Sequence, residues 1–204
     1  MRGKVALMLV ETWDEFARLK QILNTYAFSP SFNILVGTNS AKIYTEVRFL
    51  LDDLNATNAE TLVVYVQKKK LCYLDCIDKI VGNPKVFCWD SSTLIRCASI
   101  HELFKEYNTY NQNAGLISPQ VIGSYFFNIE DVYSSKSEKT LVEDFTQELI
   151  PIDITMSGSF VTKAAYLRQY YGDNDVPYKF ALTLRQMGYQ NYVYTKVRAE
   201  VCQK

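Results

Sequence analysis

The sequence predicts an α/β fold: one domain built on a mostly parallel, doubly wound sheet with helices on both faces. Three observations carry this. Short apolar or β-branched runs alternate with segments of helical periodicity from residue 5 to residue 89, the pattern that yields βαβ units. The 204 residues are 48% hydrophobic and 14% aromatic, enough for a full core. No internal repeat and no linker divides the chain, so residues 1–204 are expected to form a single domain, 1–95 its ligand-facing half and 96–204 the other.

Val5 to Val10 is an apolar strand, followed by Phe16, Leu19, Ile22, Leu23 and Tyr26 at helical spacing, with Thr12 or Asp14 able to cap the helix. Phe32 to Val36 is the second strand. Ile43, Val47, Leu50, Leu51 and Leu54 then share a helical face opened by Asn39 or Ser40. Thr61 to Val66 is the third strand, Leu71 to Ile80 a helix, and Pro84 to Trp89 the fourth strand. Beyond Trp89 the spacing predicts a helix from Ile100 to Tyr107 capped by Ser99, then a short strand from Gly115 to Ser118. Residues 123–140 are polar and turn-rich and are expected to form a mobile loop. A helix from Thr140 to Glu148, a strand from Ile152 to Met156 and a helix from Thr162 to Tyr170 follow. The last elements are a helix from Pro177 to Met187, with proline in its first turn and Gly188 as its stop, and a strand from Tyr192 to Val197.

Charge and rare residues narrow the function. Lysine and arginine number 22, as do aspartate and glutamate, so no global basic field points to nucleic acid. No apolar run approaches the roughly 20 residues that span a bilayer, and no export signal is evident. Cys72, Cys76, Cys88, Cys97 and Cys202 are odd in number and form no C-x-x-C pair; reduced thiols in the cytoplasm are the expectation. His101 is the only histidine and reads as a surface residue; zinc sites and histidine-activated nucleophiles would all depend on it.

Ligands of open α/β sheets bind beyond the carboxyl ends of the strands. There the sequence puts Glu11 and Thr12, then Thr38, Asn39 and Ser40, then Gln67 to Lys70, then Asp90 to Thr93. Hydroxyls, amides, helix starts and lysines on one edge suit a phosphate-bearing ligand, a nucleotide first. Each residue also has a plainer use: Thr12, Asn39 and Ser40 as helix caps, Lys68 to Lys70 as a solvated turn, Asp90 as a turn former. No G-x-G-x-x-G and no P-loop motif follows the first strand.

Several segments together resemble the GT-A-fold, family-2-type glycosyltransferases. Ser157-Gly158-Ser159-Phe160-Val161, Ala164 to Tyr171, Asp173-Asn174-Asp175-Val176, Leu182 to Tyr189 and Val193-Tyr194 look like that family's C-terminal half, with its small-residue turn, its acidic "E/N-D-V" and its "R-x-x-G-Y". Phe87 to Ile95 is similar to the "D-x-D" segment, and Ala114 to Pro119 to the family's "vGivgPk". Ser92 stands where the second aspartate would be, Val10-Glu11-Thr12-Trp13 replaces "P-x-Y-N", Gly37 or Thr38 falls where the family has its uracil-contacting aspartate, and Glu200 is nearest to the family's late histidine.

The resemblance implies transfer of a sugar from a nucleoside-diphosphate donor, UDP-sugar first, to a hydroxyl of a glycan or other acceptor, with inversion. Asp175 would be the general base, with Asp173 beside it as the alternative. Glu11, Thr12, Thr38, Asn39, Ser40 and Asp90 would border the nucleotide sugar, and Asp90 would hold Mn2+ or Mg2+. Trp13 and Trp89 could stack on a base or sugar or pack in the core. A decayed, non-catalytic interaction module and a nucleotidyltransferase of similar fold stay open as rivals, as do further domains of a longer polypeptide.

Overall fold

The computed structural model describes residues 1–26, 32–54, 59–109, 113–121, 126–127, 148–155, 158–172 and 176–202. The elements run β1 (Val5–Leu9), α1 (Trp13–Leu23), β2 (Asn33–Thr38), α2 (Ala41–Leu54), β3 (Thr61–Tyr65), α3 (Leu74–Ile77), β4 (Lys85–Trp89), β5 (Thr93–Leu94) and α4 (Cys97–Thr109). They continue with β6 (Ala114–Val121), β7 (Phe126–Phe127), β8 (Leu149–Ile152), β9 (Ile154–Thr155), β10 (Phe160–Lys163), α5 (Ala164–Tyr170), α6 (Pro177–Gln186) and β11 (Gln190–Val201).

One sheet carries the strands in the order β3-β2-β1-β4-β10-β6-β11-β5, with β8 also on β11; β7 and β9 form a separate pair. The first four strands are parallel, as their alternation with helices predicts. β10 then enters antiparallel to both β4 and β6, while β6 and β11 are parallel. Side chains of the central strands alternate strictly between two cores. Ala6, Met8, Ile34, Val36, Phe87 and Trp89 face α1, α2 and α4. Val5, Leu7, Leu35, Val86 and Cys88 face α3, α5 and α6. Covering both faces is what allows the strands to be continuously apolar.

Several expectations need correction. The spacing of Leu71 to Ile80 reflects burial rather than a long helix: only Leu74–Ile77 is α-helical, and its flanks close through three-residue turns such as Cys76 N–H to the Tyr73 carbonyl and Ile80 N–H to the Ile77 carbonyl. Helix α4 begins at Cys97, before Ser99, because the Cys97 N–H is capped from outside by the Thr25 hydroxyl at 3.1 Å. Thr162 lies in a strand, since residues 160–163 fill the gap between β4 and β6; the helix begins only at Ala164, where Asn83 Oδ1 accepts the Ala165 N–H at 2.8 Å. The strand at Gly115–Ser118 is longer, buried throughout from Ala114 to Val121, and β11 extends to Val201 across register shifts.

The helix from Thr140 and the loop at 123–140 lie outside the described residues, except for Glu148 and β7. The five cysteines are free thiols, four of them buried. Among the described residues no helix is long and apolar enough to cross a membrane.

Candidate active site

Parallel pairing of β1 with β2 and β4 brings the carboxyl ends of these strands to one edge: Met8 lies opposite Trp89, and Leu9 opposite Gly37. A cavity of about 540 Å³ opens there, with Glu11, Glu15, Lys68, Lys70, Tyr73, Asp90, Gly158 and Tyr171 in its wall. Glu11 and Asp90 thus line the same cavity.

Asp90 is held from three sides. Its N–H donates to Ser159 Oγ at 3.0 Å, its Oδ1 accepts the Ser92 N–H at 2.9 Å, and its Oδ2 accepts the Gly158 N–H at 3.3 Å. This follows from topology, because an antiparallel β10 must begin where β4 ends, with Phe160 opposite Cys88. A Cβ at Gly158 would lie 2.7 Å from Asp90 Cβ and 2.8 Å from its Oδ2, so only glycine lets the two segments approach this closely. Beneath them the Tyr73 hydroxyl donates to the Trp89 carbonyl at 2.9 Å, and burial pushes its pKa well up, keeping it a neutral donor.

The start of α1 is closed by its own chain. Thr12 Oγ1 accepts the Glu15 N–H at 3.3 Å, while Glu15 Oε2 accepts the N–H groups of Glu11 at 2.6 Å and Thr12 at 3.0 Å. This is a capping box, and it places a carboxylate where a phosphate would otherwise meet the helix dipole. Glu15 Oε1 also accepts from Ser91 Oγ at 2.7 Å, and Arg18 donates to the Ser91 carbonyl at 2.7 Å, so α1 is fastened to the turn after β4.

The turn at residues 67–72 is anchored by three elements. Asn39 Nδ2 donates to the carbonyls of Lys68 and Lys69, at 3.1 and 3.2 Å. A Glu11 carboxylate oxygen accepts the Leu71 N–H. Asp75 accepts from Lys68 Nζ at 2.7 Å through Oδ1 and from the Cys72 N–H at 2.8 Å through Oδ2. Burial alone would raise the Asp75 carboxyl, but Lys68 and the Cys72 amide outweigh it and hold the carboxyl below its ordinary value. The Cys72 thiol is pushed up by burial, which opposes a nucleophilic role.

Other candidates have local structural work. Thr38 is buried and its Oγ1 accepts the Ser40 N–H at 3.2 Å; Ser40 caps α2 through the Ile43 N–H at 3.4 Å. Thr12, Thr38, Asn39 and Ser40 are not in the cavity wall. Trp89 is buried and donates to the Thr93 carbonyl at 2.9 Å, whereas Trp13 is exposed and packs edge-on against Phe16. Asp173 and Asp175 lie outside the described residues, but Tyr171 on one side and Val176 and Pro177 on the other line the cavity. Tyr73 and Tyr171 belong to the site without a sequence signal of their own, since their placement depends on contacts between distant segments, whereas Glu15 has one that sequence reasoning missed, the T-x-x-E spacing from Thr12.

A divalent cation at Asp90 fits this donor set poorly. Both carboxylate oxygens accept main-chain N–H groups, Ser92 offers no second carboxylate, and among the described residues no three histidine, cysteine or acidic side chains cluster.

No protein-family profile and no curated protein sequence matches the chain. Solved structures do. The chain is similar to GalNAc-T7 with UDP, GalNAc and Mn2+ (TM-score 0.68, 7% identity, covering 99% of this chain and 43% of that one). It is also similar to the mannosyltransferase PcManGT from Pyrobaculum calidifontis in complex with GDP-Man and Mn2+ (TM-score 0.65, 12% identity, covering 98% of this chain and 57% of that one). The chain thus spans about half the length of these structures. At such identities the likeness is one of fold, and the chain has the GT-A fold of nucleotide-sugar glycosyltransferases.

Proposed function

We propose that this chain transfers a sugar from a nucleoside-diphosphate donor, UDP-sugar first, to an acceptor hydroxyl with inversion. The observation that carries the reading is the cavity at the carboxyl ends of β1 and β4, bordered by Glu11 and the fixed Asp90, in a GT-A fold. Residues 1–95 would form the nucleotide side and 96–204 the acceptor side. In the step itself the acceptor oxygen attacks the anomeric carbon, the bond from that carbon to the diphosphate oxygen breaks, and the acceptor proton passes to the Asp175 carboxylate. Asp175 is favoured because both flanks of its segment reach the cavity wall.

A panel of nucleotide sugars tests the reading, scored by thermal stabilisation and by transfer to added acceptors. Asp175→Asn should keep donor binding and lose about 10²–10⁴-fold in transfer rate. Transfer at the parental rate would remove Asp175 from the mechanism. A larger loss in Asp173→Asn would move the role there. Donor binding without transfer or hydrolysis under any condition would favour the non-catalytic module, a reading that gains some support from Glu11, Glu15 and Asp90 all accepting main-chain N–H groups.

A further inference from the structure

Among the described residues, the cavity's positive charge comes from one turn. Lys68 and Lys70 are the cationic side chains in its wall, against the carboxylates of Glu11, Glu15 and Asp90. Each of these carboxylates accepts main-chain N–H groups, so all three act as structural acceptors. A nucleoside diphosphate entering this space brings concentrated negative charge and needs cations within a few ångströms.

The lysine-bearing turn is exposed, yet its main chain is held by side chains from three segments. Asn39 from the end of β2, Glu11 from the end of β1 and Asp75 from α3 all bond to its main chain, at Lys68, Lys69, Leu71 and Cys72. Lys68 is additionally fixed by Asp75. Lys70 is exposed, and among the described residues no carboxylate pairs with it. Lys70 thus offers an unpaired cation on a held backbone at the cavity wall, suited to act as a point-charge phosphate ligand.

We infer that the charge of the donor diphosphate is met by this turn, chiefly by Lys70 with Lys68 in support, instead of by a divalent cation at Asp90. The inference rests on the donor class proposed above. It accounts together for the engaged oxygens of Asp90, for Ser92 in place of a second carboxylate, and for the number of side chains that hold residues 68–72 in place.

Calorimetric titration of UDP and GDP into the protein, in EDTA and separately in excess Mn2+, tests it. We expect equal affinity in the two buffers. In EDTA, Lys70→Ala should weaken nucleotide binding about tenfold or more, the scale of one charge-assisted hydrogen bond. Lys70→Arg should largely restore binding, and Lys69→Ala, one residue away and outside the cavity wall, should bind as the parent. Unchanged unfolding midpoints without ligand would show that the variants are folded. Binding that requires Mn2+, or Lys70→Ala binding as tightly as the parent, overturns the inference and leaves the proposed donor class standing. Binding of neither nucleotide in either buffer overturns both.

Discussion

At Gly158 a main chain and a carboxylate occupy neighbouring space with no room for a methyl group. A Cβ would sit 2.7 to 2.9 Å from Asp90 Cβ, Oδ2 and Cγ, so Gly158→Ala must displace either the start of β10 or Asp90. Forced overpacking of this kind costs about 1–3 kcal/mol. We expect Gly158→Ala to lower the urea unfolding midpoint accordingly and to weaken nucleotide binding as well; an unchanged midpoint would mean that the segment yields freely. Half of this pair is legible in the sequence. Asp90 announces itself by following the apolar run Val86 to Trp89, whereas Gly158, 68 residues later, gains its meaning only through pairing of β10 with β4. Asn39 shows the same limit: its type and place suit a helix cap, yet its amide reaches across to Lys68 and Lys69.

The elements divide along the same line. β1 to β4 are legible because each is a short apolar run bounded by polar or turn residues, and for β1, β2 and β4 burial on both faces leaves no competing pattern. β10 is not, because Phe160–Lys163 abuts α5 without a breaker, and its extended state is imposed by neighbours on both sides. The turn before α3 is stabilised by its charges, which makes it sensitive to pH. The Asp75 carboxyl titrates lower in the folded chain than in the unfolded one, so its stabilisation is fully present above the unfolded value, about 3.9, and fades as pH falls through the lower folded value. The parent should therefore be more stable than Asp75→Asn at neutral pH, with the difference closing below about pH 4. Denaturant titrations across that range check this, and a gap that persists at low pH would assign the effect to packing. The half-exposed Lys68 keeps the contribution modest and salt-dependent.

Across the whole molecule, one sheet runs from β3 to β5 and its two cores each draw on residues from both ends of the chain: Val161 and Val197 pack with Ala6 and Met8, Phe160 and Leu184 with Val5 and Leu7. Neither core is confined to one half of the chain. Unfolding in urea should be a single transition, with the change in tryptophan fluorescence as Trp89 loses its burial tracking far-ultraviolet circular dichroism. Separated transitions would show that residues 1–95 hold together without the rest.

The same interleaving sets a schedule for synthesis. β4 is complete at Trp89, but the strand that covers its free edge begins at Phe160, and β6 reaches the sheet only through that strand. A ribosome adding roughly 5–20 residues per second needs about 4–14 s for the intervening 70 residues. During that interval the β4 strand lacks its neighbour on that edge, and an unpaired apolar strand is the kind of segment that pairs with other chains. Yield in a cell should then depend on how quickly residues 90–160 are translated and on the chaperones that shield the β4 edge meanwhile.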